Sequence, residues 1–283
     1  MAQFRQITIV GLGLIGGSVG MAARRKRVAG RVVGLSRSAA TVRRAKQRGA
    51  IDAGTTDARD AVRDADLVIL AGPVDTIAPA GKRLARWMKP GSVLTDVGST
   101  KSEIVAALET SLPRGPRGIC YIGSHPIAGS EQRGIDAASA GLFAGASCLL
   151  TPTARTHPKA LRAATQLWQR LGMRVSRMTP DAHDRLLGAT SHLPHLIAFC
   201  LASSADPSRL GMPKSWLEMT RLAKSDPDLW DDIFLSNRAA VGKAADRLTG
   251  QIRTLRQAIV RGDRAAIVKF LRHAKAIRDA IRD

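Results

Sequence analysis

The residues Ile7-Thr8-Ile9-Val10 and Gly11-Leu12-Gly13-Leu14-Ile15-Gly16 follow one another near the start of this 283-residue chain. The first four are mostly apolar and β-branched, and they predict a short buried strand. The next six form a G-x-G-x-x-G pattern, and the apolar spacing after it predicts a helix as far as about Arg25. A strand, this glycine pattern and a helix in that order are typical of a turn that binds a dinucleotide.

Each glycine of the pattern has its own expected role. Gly11 would make the tight turn, Gly13 would let the backbone approach a pyrophosphate, and Gly16 would let the helix pack close to the strand. The free N–H groups and the dipole at the start of the helix favour an anion. The candidate cofactor-binding residues of this turn are therefore Gly11, Leu12, Gly13, Leu14, Ile15 and Gly16.

The end of the second predicted strand, Leu35-Ser36-Arg37-Ser38, bears on which dinucleotide is bound. An NAD site usually carries an acidic residue here for the ribose 2′-hydroxyl, and this segment has none. Arg37 can pair with a 2′-phosphate, and Ser36 can donate a hydrogen bond to it. NADP is therefore favoured over NAD, and a solvated loop in an enzyme that tolerates NAD is the alternative.

Strand-like apolar runs alternate with helical patterns through the first part of the chain. After the first strand, further strands are predicted at residues 31–35, 67–71, 92–96, 120–122, 147–150 and 174–176. This alternation predicts parallel βαβ units in an α/β Rossmann-type, doubly wound sheet. The sequence therefore places a dinucleotide-binding domain at residues 1–178.

The remaining residues, 179–283, contain no strand-like run, and their apolar residues recur at helical spacing. They predict an all-α substrate and dimerisation domain. Several of these helices are too apolar for a small solitary domain. A homodimer that forms through the C-terminal helices is therefore expected.

The composition limits the partners. The chain has 44 Lys and Arg against 23 Asp and Glu, a formal net charge of +21, which favours anionic partners. The basic residues are spread along the chain, and aromatic residues make up only 4%, so platforms for stacking bases are poorly supplied. Nucleic acid is therefore not an expected partner. No uninterrupted run of about 18 apolar residues predicts a membrane span.

The cysteines and histidines give no metal or disulfide pattern. Cys120, Cys148 and Cys200 lack C-x-x-C spacing, which fits a reducing cytoplasm. His192 and His195 have the spacing of a metal-binding pair, but no further ligand cluster accompanies them. No metal is therefore expected, and the N-terminus lacks the pattern of a secretory signal.

Ligands of doubly wound folds bind beyond the carboxyl ends of the strands. Three predicted strand ends converge there: Gly72-Pro73, which would lie against the cofactor, Asp96-Val97-Gly98-Ser99, and Gly123-Ser124-His125-Pro126. A neutral histidine at this edge can take a proton from a substrate hydroxyl while a hydride leaves the same carbon. A lone His-Pro more often fills a turn, but the neighbouring strand ends favour a catalytic His125 with Ser99 beside it.

The helical part adds polar residues at suggestive spacing, namely Asp184, Ser191 and His195. On one continuous helix, offsets of seven and four would place them in one narrow stripe. Pro194 complicates this prediction because it removes a backbone donor and can kink a helix.

An arginine, Arg221, stands shortly before Asp226-Pro227, which is predicted to be a turn or the start of a helix. Arginine in such a place can clasp a carboxylate with two parallel hydrogen bonds. A solvated arginine on a helix surface is the alternative.

Five segments together carry a family resemblance. They are Gly11-Leu12-Gly13-Leu14-Ile15-Gly16-Gly17-Ser18, Asp96-Val97-Gly98-Ser99-Thr100-Lys101, Ser124-His125-Pro126-Ile127-Ala128-Gly129-Ser130-Glu131, Ser191-His192-Leu193-Pro194-His195, and Thr220-Arg221 through Trp230. In this order, and over nearly the whole chain, they resemble the prephenate/arogenate dehydrogenase family of tyrosine biosynthesis. Each segment alone is unspecific, but the combination is specific.

The resemblance implies a role for each candidate side chain. His125 resembles the catalytic histidine that draws the proton from a ring hydroxyl, and Ser99 resembles the partner that orients it. Arg221 resembles the arginine that binds a substrate carboxylate. The side chains that resemble other residues of the family's pocket are Ser191, His195, Asp184 and Glu131.

The resemblance also implies a reaction. A small anionic cyclohexadienyl substrate, prephenate and/or arogenate, would undergo oxidative decarboxylation to 4-hydroxyphenylpyruvate and/or tyrosine, with hydride transfer to NAD(P)+. The family's helical domain forms a dimer interface, in agreement with the apolar helices. Residues 211–219 differ from the family's glycine-rich approach to the pocket, so the choice between the two substrates stays open.

Two other hypotheses keep the nucleotide fold. A β-hydroxyacid dehydrogenase or imine reductase-like NAD(P) oxidoreductase would change the substrate, but such enzymes usually carry a catalytic lysine in the second domain, which the sequence does not indicate. A non-enzymatic basic binding protein would bind DNA or RNA in a salt-sensitive way and would show no turnover.

Overall fold

The computed structural model describes residues 3–113, 118–129, 132–205 and 211–281. Within these ranges a single sheet is followed by a helical region, which confirms the predicted Rossmann-type fold with an all-α second part. The strands are β1 (Phe4–Val10), β2 (Ala29–Leu35), β3 (Ala53–Thr55), β4 (Leu67–Leu70), β5 (Val93–Asp96), β6 (Cys120–Ile127), β7 (Ser147–Thr151) and β8 (Arg174–Arg177).

The helices fall into two groups along the chain. Those interleaved with the strands are α1 (Leu14–Arg25), α2 (Ala39–Gln47), α3 (Ala58–Val62), α4 (Val74–Leu84), α5 (Ser102–Ser111) and α6 (Pro158–Arg170). Those that follow the sheet are α7 (Pro180–Leu187), α8 (Leu193–Ser203), α9 (Lys214–Met219), α10 (Pro227–Ser236), α11 (Arg238–Val260) and α12 (Arg264–Asp279). A π-helical turn (Gly188–His192) joins α7 to α8, and 3-10 turns lie at Ile135–Ala137 and Arg221–Lys224.

The strand order is β3-β2-β1-β4-β5-β6-β7-β8, and the strands are parallel from β3 to β6. Strand β1 lies between β2 and β4, so the strand order reverses there and leaves a crevice at its carboxyl end. The prediction of parallel βαβ units holds as far as β6. Strand β7 departs from it, because β7 runs antiparallel to β6.

Strand β6 is longer than predicted, and this corrects the expected position of His125. Residues 120–122 pair with β5, whereas residues 123–127 pair with β7, where His125 lies opposite Leu149. His125 therefore lies inside a strand and not in a turn that follows one. Pro126 misled the sequence prediction, because a proline usually marks the end or the edge of a strand.

The helical region docks on one face of the sheet. Trp230 and Ile233 of α10 join a buried cluster with Ile77 of α4 and Leu108 of α5. Ile233 is only 3% exposed, and burying such a side chain contributes about 1.5–3 kcal/mol. This contact fixes the helical region beside the carboxyl edge of the sheet.

One helical run in the described part of the chain, Pro180–Ser203, is long and apolar enough to cross a membrane by length and composition. It spans α7, the π turn and α8. Its polar side chains His183, Asp184 and His192 are buried and hydrogen-bonded within the protein. The run contacts β7, α5 and α11.

Candidate active site

The glycine turn after β1 is shaped by close backbone contacts. Gly11 has a φ of +97°, and a Cβ on it would lie 2.5 Å from the carbonyl oxygen of Ala71. A Cβ on Gly16 would lie 1.9 Å from the carbonyl oxygen of Gly11. Both positions therefore need glycine for the turn itself. A Cβ on Gly13 would meet no atom within 4 Å, so this glycine faces open space.

That open space fits a pyrophosphate. Helix α1 begins directly after Gly13, its first turn carries no acidic residue, and the first N–H groups of a helix have no partner within it. Leu14 and Ile15 supply two of those N–H groups, while Leu12 is buried and supports the turn from the core. The N-terminus of α1 can therefore hold the phosphates of a dinucleotide, which accepts or gives a hydride at its nicotinamide when bound.

The other predicted cofactor residues lie beside this turn. The N–H of Gly11 donates to the carbonyl of Leu35 at 3.0 Å, which brings the end of β2 and thus Ser36-Arg37 next to it. Arg37 is exposed and Ser36 is half-buried. A Cβ on Gly11 would lie 3.2 Å from the nitrogen of Gly72, so Gly72-Pro73 borders the turn on its other side.

Ser99 lies in the short loop between β5 and α5, and Asp96, the last residue of β5, holds that loop in place. The N–H of Gly98 donates to the Asp96 carboxylate at 2.8 Å, and Lys101 forms an ion pair with the same oxygen. Asp96 and Lys101 are both fully buried. Breaking a buried pair leaves an uncompensated charge, so this loop has a strongly preferred geometry.

The same carboxylate ties β5 to the strand that carries His125. The hydroxyl of Tyr121 donates to Asp96 at 2.8 Å, and the hydroxyl of Ser124 donates to the carbonyl of Asp96. Burial and the adjacent Asp96 charge raise the pKa of Tyr121 well above its usual range, so the phenol remains a donor. The loop with Ser99 and the strand with His125 are thus built on one buried network.

His125 has a partner that the sequence did not indicate. Its Nδ1 lies 2.9 Å from Nε2 of His183, and Nδ1 of His183 lies 2.8 Å from the carboxylate of Asp184. Among the described residues, no hydrogen bond joins Ser99 to His125. The hydrogen-bonded ring beside His125 in this structure is therefore His183, and the role expected for Ser99 stays a prediction.

The surroundings of His125 keep its imidazole neutral. Burial, followed by the charges of His183, Lys101 and His192, lowers the pKa of His125 well below its usual value of 6.5. The residue still retains intermediate exposure, as a base that meets a substrate requires. A neutral, partly accessible imidazole at the carboxyl edge of the sheet can act as a general base.

The main contacts of Asp184 are with the start of helix α5. It is 5% exposed, and its two oxygens accept hydrogen bonds of 2.8 Å from the N–H groups of Lys101 and Ser102 at the start of α5. Burial alone would raise the pKa of this carboxyl, but the hydrogen bonds from His183, Ser102 and Lys101 outweigh it and hold the pKa below its usual value. Asp184 thus remains a carboxylate that fastens α7 to α5.

The π turn resolves the difficulty that Pro194 posed. Proline lacks an N–H, and the wider turn of residues 188–192 lets the helical run continue through it. Asn237 holds this turn, because its Nδ2 donates to the carbonyl of Asp184 at 2.8 Å and to Nδ1 of His192 at 3.1 Å. Burial, more than any neighbouring charge, lowers the pKa of His192 to about 4, so its ring stays a neutral acceptor.

Beyond the π turn, His195 and Arg221 lie close together. His195 stacks on Trp230 with ring centroids 3.6 Å apart, and its Nδ1 lies 2.9 Å from the carbonyl of Ser191. Burial, with a contribution from the Arg221 charge, lowers the pKa of His195. Arg221 itself is exposed in its 3-10 turn, so its guanidinium is accessible to an anion.

The predicted stripe of Asp184, Ser191 and His195 is wrong in part. Ser191 and His195 remain neighbours, but Asp184 is directed to the start of α5, on the other side of the π turn. Glu131 lies outside the described residues. Among the residues that the structure describes, no group of three His, Cys, Asp or Glu side chains could hold a metal ion.

The nucleotide-binding domain family of prephenate dehydrogenase matches residues 19–177, and its dimerization domain family matches residues 179–273. The chain belongs to the prephenate dehydrogenase family. It is 33% identical over 290 residues to the cyclohexadienyl dehydrogenase of Zymomonas mobilis, covering 100% of this chain and 98% of that protein. The rival β-hydroxyacid dehydrogenase and imine reductase assignments are not favoured.

Solved structures of the prephenate dehydrogenase family have the same architecture. The prephenate dehydrogenase of Aquifex aeolicus, solved with hydroxyphenyl propionate and NAD+, has a TM-score of 0.88 at 33% identity and covers 98% of both chains. The arogenate dehydrogenase of Synechocystis has a TM-score of 0.83 at 27% identity, over 97% of this chain and 99% of that one. The nicotinamide cofactor that the glycine turn predicts is thus a property of the family's fold.

Proposed function

We propose that this chain catalyses the oxidative decarboxylation of prephenate and/or arogenate to 4-hydroxyphenylpyruvate and/or tyrosine, with hydride transfer to NAD(P)+. The observation that carries the proposal is the position of His125. A neutral imidazole lies on the same sheet edge as an open glycine turn, and both belong to one doubly wound sheet. A base and a hydride acceptor can therefore act on one carbinol carbon.

The proposed reaction needs no covalent intermediate between the substrate and the protein. The ring hydroxyl gives its proton to His125 as the hydride leaves the carbinol carbon, and the carboxylate on the opposite ring carbon departs as carbon dioxide. The ring becomes aromatic, which supplies the driving force. The side chains therefore need only hold the ring in place and accept one proton.

The substrate's negative charges need cationic or donor groups. Arg221 is the candidate clasp for a carboxylate. His195 on α8 lies close to it, and Ser191 in the π turn contacts His195 through its backbone carbonyl. Ser99, on its anchored loop, is the candidate donor to the ring hydroxyl. We assign Asp184 a supporting role through its contacts with His183 and the start of α5, and Glu131 a supporting role at the pocket.

Steady-state rates with both substrates and both cofactors test the proposal directly. Turnover of prephenate, of arogenate or of both is expected, and the ratio of the kcat/KM values gives the substrate preference that the sequence leaves open. The absence of turnover with either substrate would contradict the proposed function.

NADP is the proposed cofactor because Ser36 and Arg37 lie next to the glycine turn. The acidic residue that usually binds the ribose 2′-hydroxyl of NAD at the end of the second strand is missing from this segment. Wild-type kcat/KM is expected to be higher with NADP than with NAD. Arg37→Gln should lower kcat/KM for NADP by about 10- to 100-fold, since a hydrogen bond to a charged group contributes roughly 1.5–3 kcal/mol, and should leave NAD unchanged. Arg43→Gln, which removes an exposed charge from α2, is the control. A strong wild-type preference for NAD would refute this assignment.

A homodimer is proposed on the apolar surface of the last two helices. Large apolar side chains are more than half exposed there in a single chain, namely Ile252, Ile259, Val260, Leu271 and Ile277. Exposed apolar patches of this kind mark protein interfaces. Sedimentation at micromolar concentration is expected to give twice the mass of one chain, and a monomer would contradict the proposal.

The proposed domains are residues 1–178, which would bind the cofactor, and residues 179–283, which would bind the substrate and form the dimer contacts. The proposed location of the protein is the cytoplasm.

A further inference from the structure

The hydrogen bonds around His125 cross from the sheet to the helical region. His125 lies on β6, whereas His183 and Asp184 lie on α7, the first helix after the sheet. His183 is fully buried and touches His125 on one side and Asp184 on the other. The proposed reaction leaves His183 without a role, so its place in this chain needs an explanation.

The proton positions follow from counting donors and acceptors. Asp184 is an ionised carboxylate and can only accept, so Nδ1 of His183 must carry the proton that it donates. In a neutral ring, Nε2 of His183 is then the acceptor, and Nδ1 of His125 must be the donor. The lone pair of His125 is thereby placed on Nε2.

We propose that His183 is a positioning residue that holds His125 with its proton on Nδ1 and its lone pair on Nε2. Asp184, fastened to the N-terminus of α5, anchors this arrangement. The inference rests on the proposed function for its kinetic consequences, and on the hydrogen bonds alone for the tautomers.

The proton balance is simple. The substrate hydroxyl proton moves to Nε2 of His125, and the resulting imidazolium donates through Nδ1–H to His183, which in turn donates to the Asp184 carboxylate. Loss of carbon dioxide leaves a phenolate oxygen, which takes up one proton as the proton on Nε2 is released, directly or through solvent. This gives the phenol of the product and restores the base.

Other charged or titratable groups face His125 and belong in any pH profile. His183, Lys101 and His192 act on it from α7, from the loop before α5 and from the π turn, and all three disfavour the imidazolium. On β7, the sulfur of Cys148 accepts from the backbone N–H of His125, and burial raises the thiol pKa far above its usual range, so it stays neutral at physiological pH. Asp184, which contacts His183 on the side away from His125, is the negatively charged group of this hydrogen-bonded series.

Two substitutions of His183 separate positioning from general structural support. Glutamine keeps an acceptor toward His125 and a donor toward Asp184, whereas leucine keeps neither. His183→Leu is expected to lower kcat by about 10²-fold with KM little changed. His183→Gln is expected to recover most of kcat. Equal kcat losses in the two variants, or no loss in His183→Leu, would overturn the proposal.

The tautomers of His125 and His183 can be determined by NMR without measuring enzyme activity. In ¹⁵N-histidine-labelled wild-type protein at neutral pH, both His125 and His183 are expected to carry the proton on Nδ1. The chain has only six histidines, so His125→Asn and His183→Gln spectra suffice to assign the two signals. A His125 signal with the proton on Nε2 would refute the inference even in an active enzyme. Absent dehydrogenase activity with the expected tautomers would instead refute the proposed function alone.

Discussion

His125→Asn is expected to lower kcat by about 10²–10⁴-fold, with only a modest change in KM. Asparagine can keep a contact with His183, but it has no nitrogen that accepts a proton near neutral pH. The hydride then leaves a carbon whose hydroxyl cannot be deprotonated, and the barrier rises. Initial rates at saturating substrate and cofactor measure the effect.

The control for this substitution is His273→Asn, on the exposed surface of α12, which should leave kcat unchanged. Full turnover in His125→Asn would mean that His125 only supports the strand. Such a result would leave the family assignment intact but would require another base.

The pH dependence of the wild type follows from the same residue. Burial and neighbouring positive charges lower the pKa of His125 below 6.5, so the neutral, active form persists as the pH falls through 6.5. Activity that depends on this base is therefore expected to be lost only below that pH, as His125 gains its proton. An acid limb centred at or above 6.5 would contradict the assignment of His125 as the buried base.

Arg221→Gln is expected to raise KM for the substrate by about 10- to 100-fold with a smaller effect on kcat. A charge-assisted hydrogen bond to a carboxylate contributes roughly 1.5–3 kcal/mol, and glutamine cannot replace its charge or its paired donors. The exposed position of Arg221 next to His195 makes it accessible to an anion.

Lys224→Gln is the matched control, because it removes a cation from the same 3-10 turn. Its KM is expected to stay near the wild-type value. If both variants raised KM equally, the effect would come from the general charge of the turn and not from a clasp by Arg221.

Local pattern was sufficient to predict most of the sheet, and it failed where pairing partners are distant. Strand β1 and the glycine turn are readable from ten consecutive residues. Strand β3 and helix α3 were missed because they have only 3 and 5 residues and carry no apolar run. The second half of β6 was missed because it pairs with β7, and that pairing leaves no local signal beside Pro126.

The residues of the candidate site also fall into two groups: those that stand in local motifs and those that only distant contacts reveal. His125, Ser99 and Arg221 stand in motifs, so the sequence alone could single them out as candidates. His183 could not, because its contact with His125 joins residues 58 apart in sequence, and a histidine before an aspartate on a helix looks like an ordinary polar surface. The π turn was equally invisible, since only the path of the backbone shows how the helical run accommodates Pro194.

Strand β6 changes neighbours along its length, from a parallel partner to an antiparallel one, just before it reaches His125. His125 is therefore held inside a paired strand, whereas residues 211–219, which precede Arg221, lie outside the sheet. Under the proposed function, substitutions and insertions in that segment would change the approach to Arg221 without moving His125. Relatives that act on different cyclohexadienes can thus diverge in that segment and keep one chemical centre.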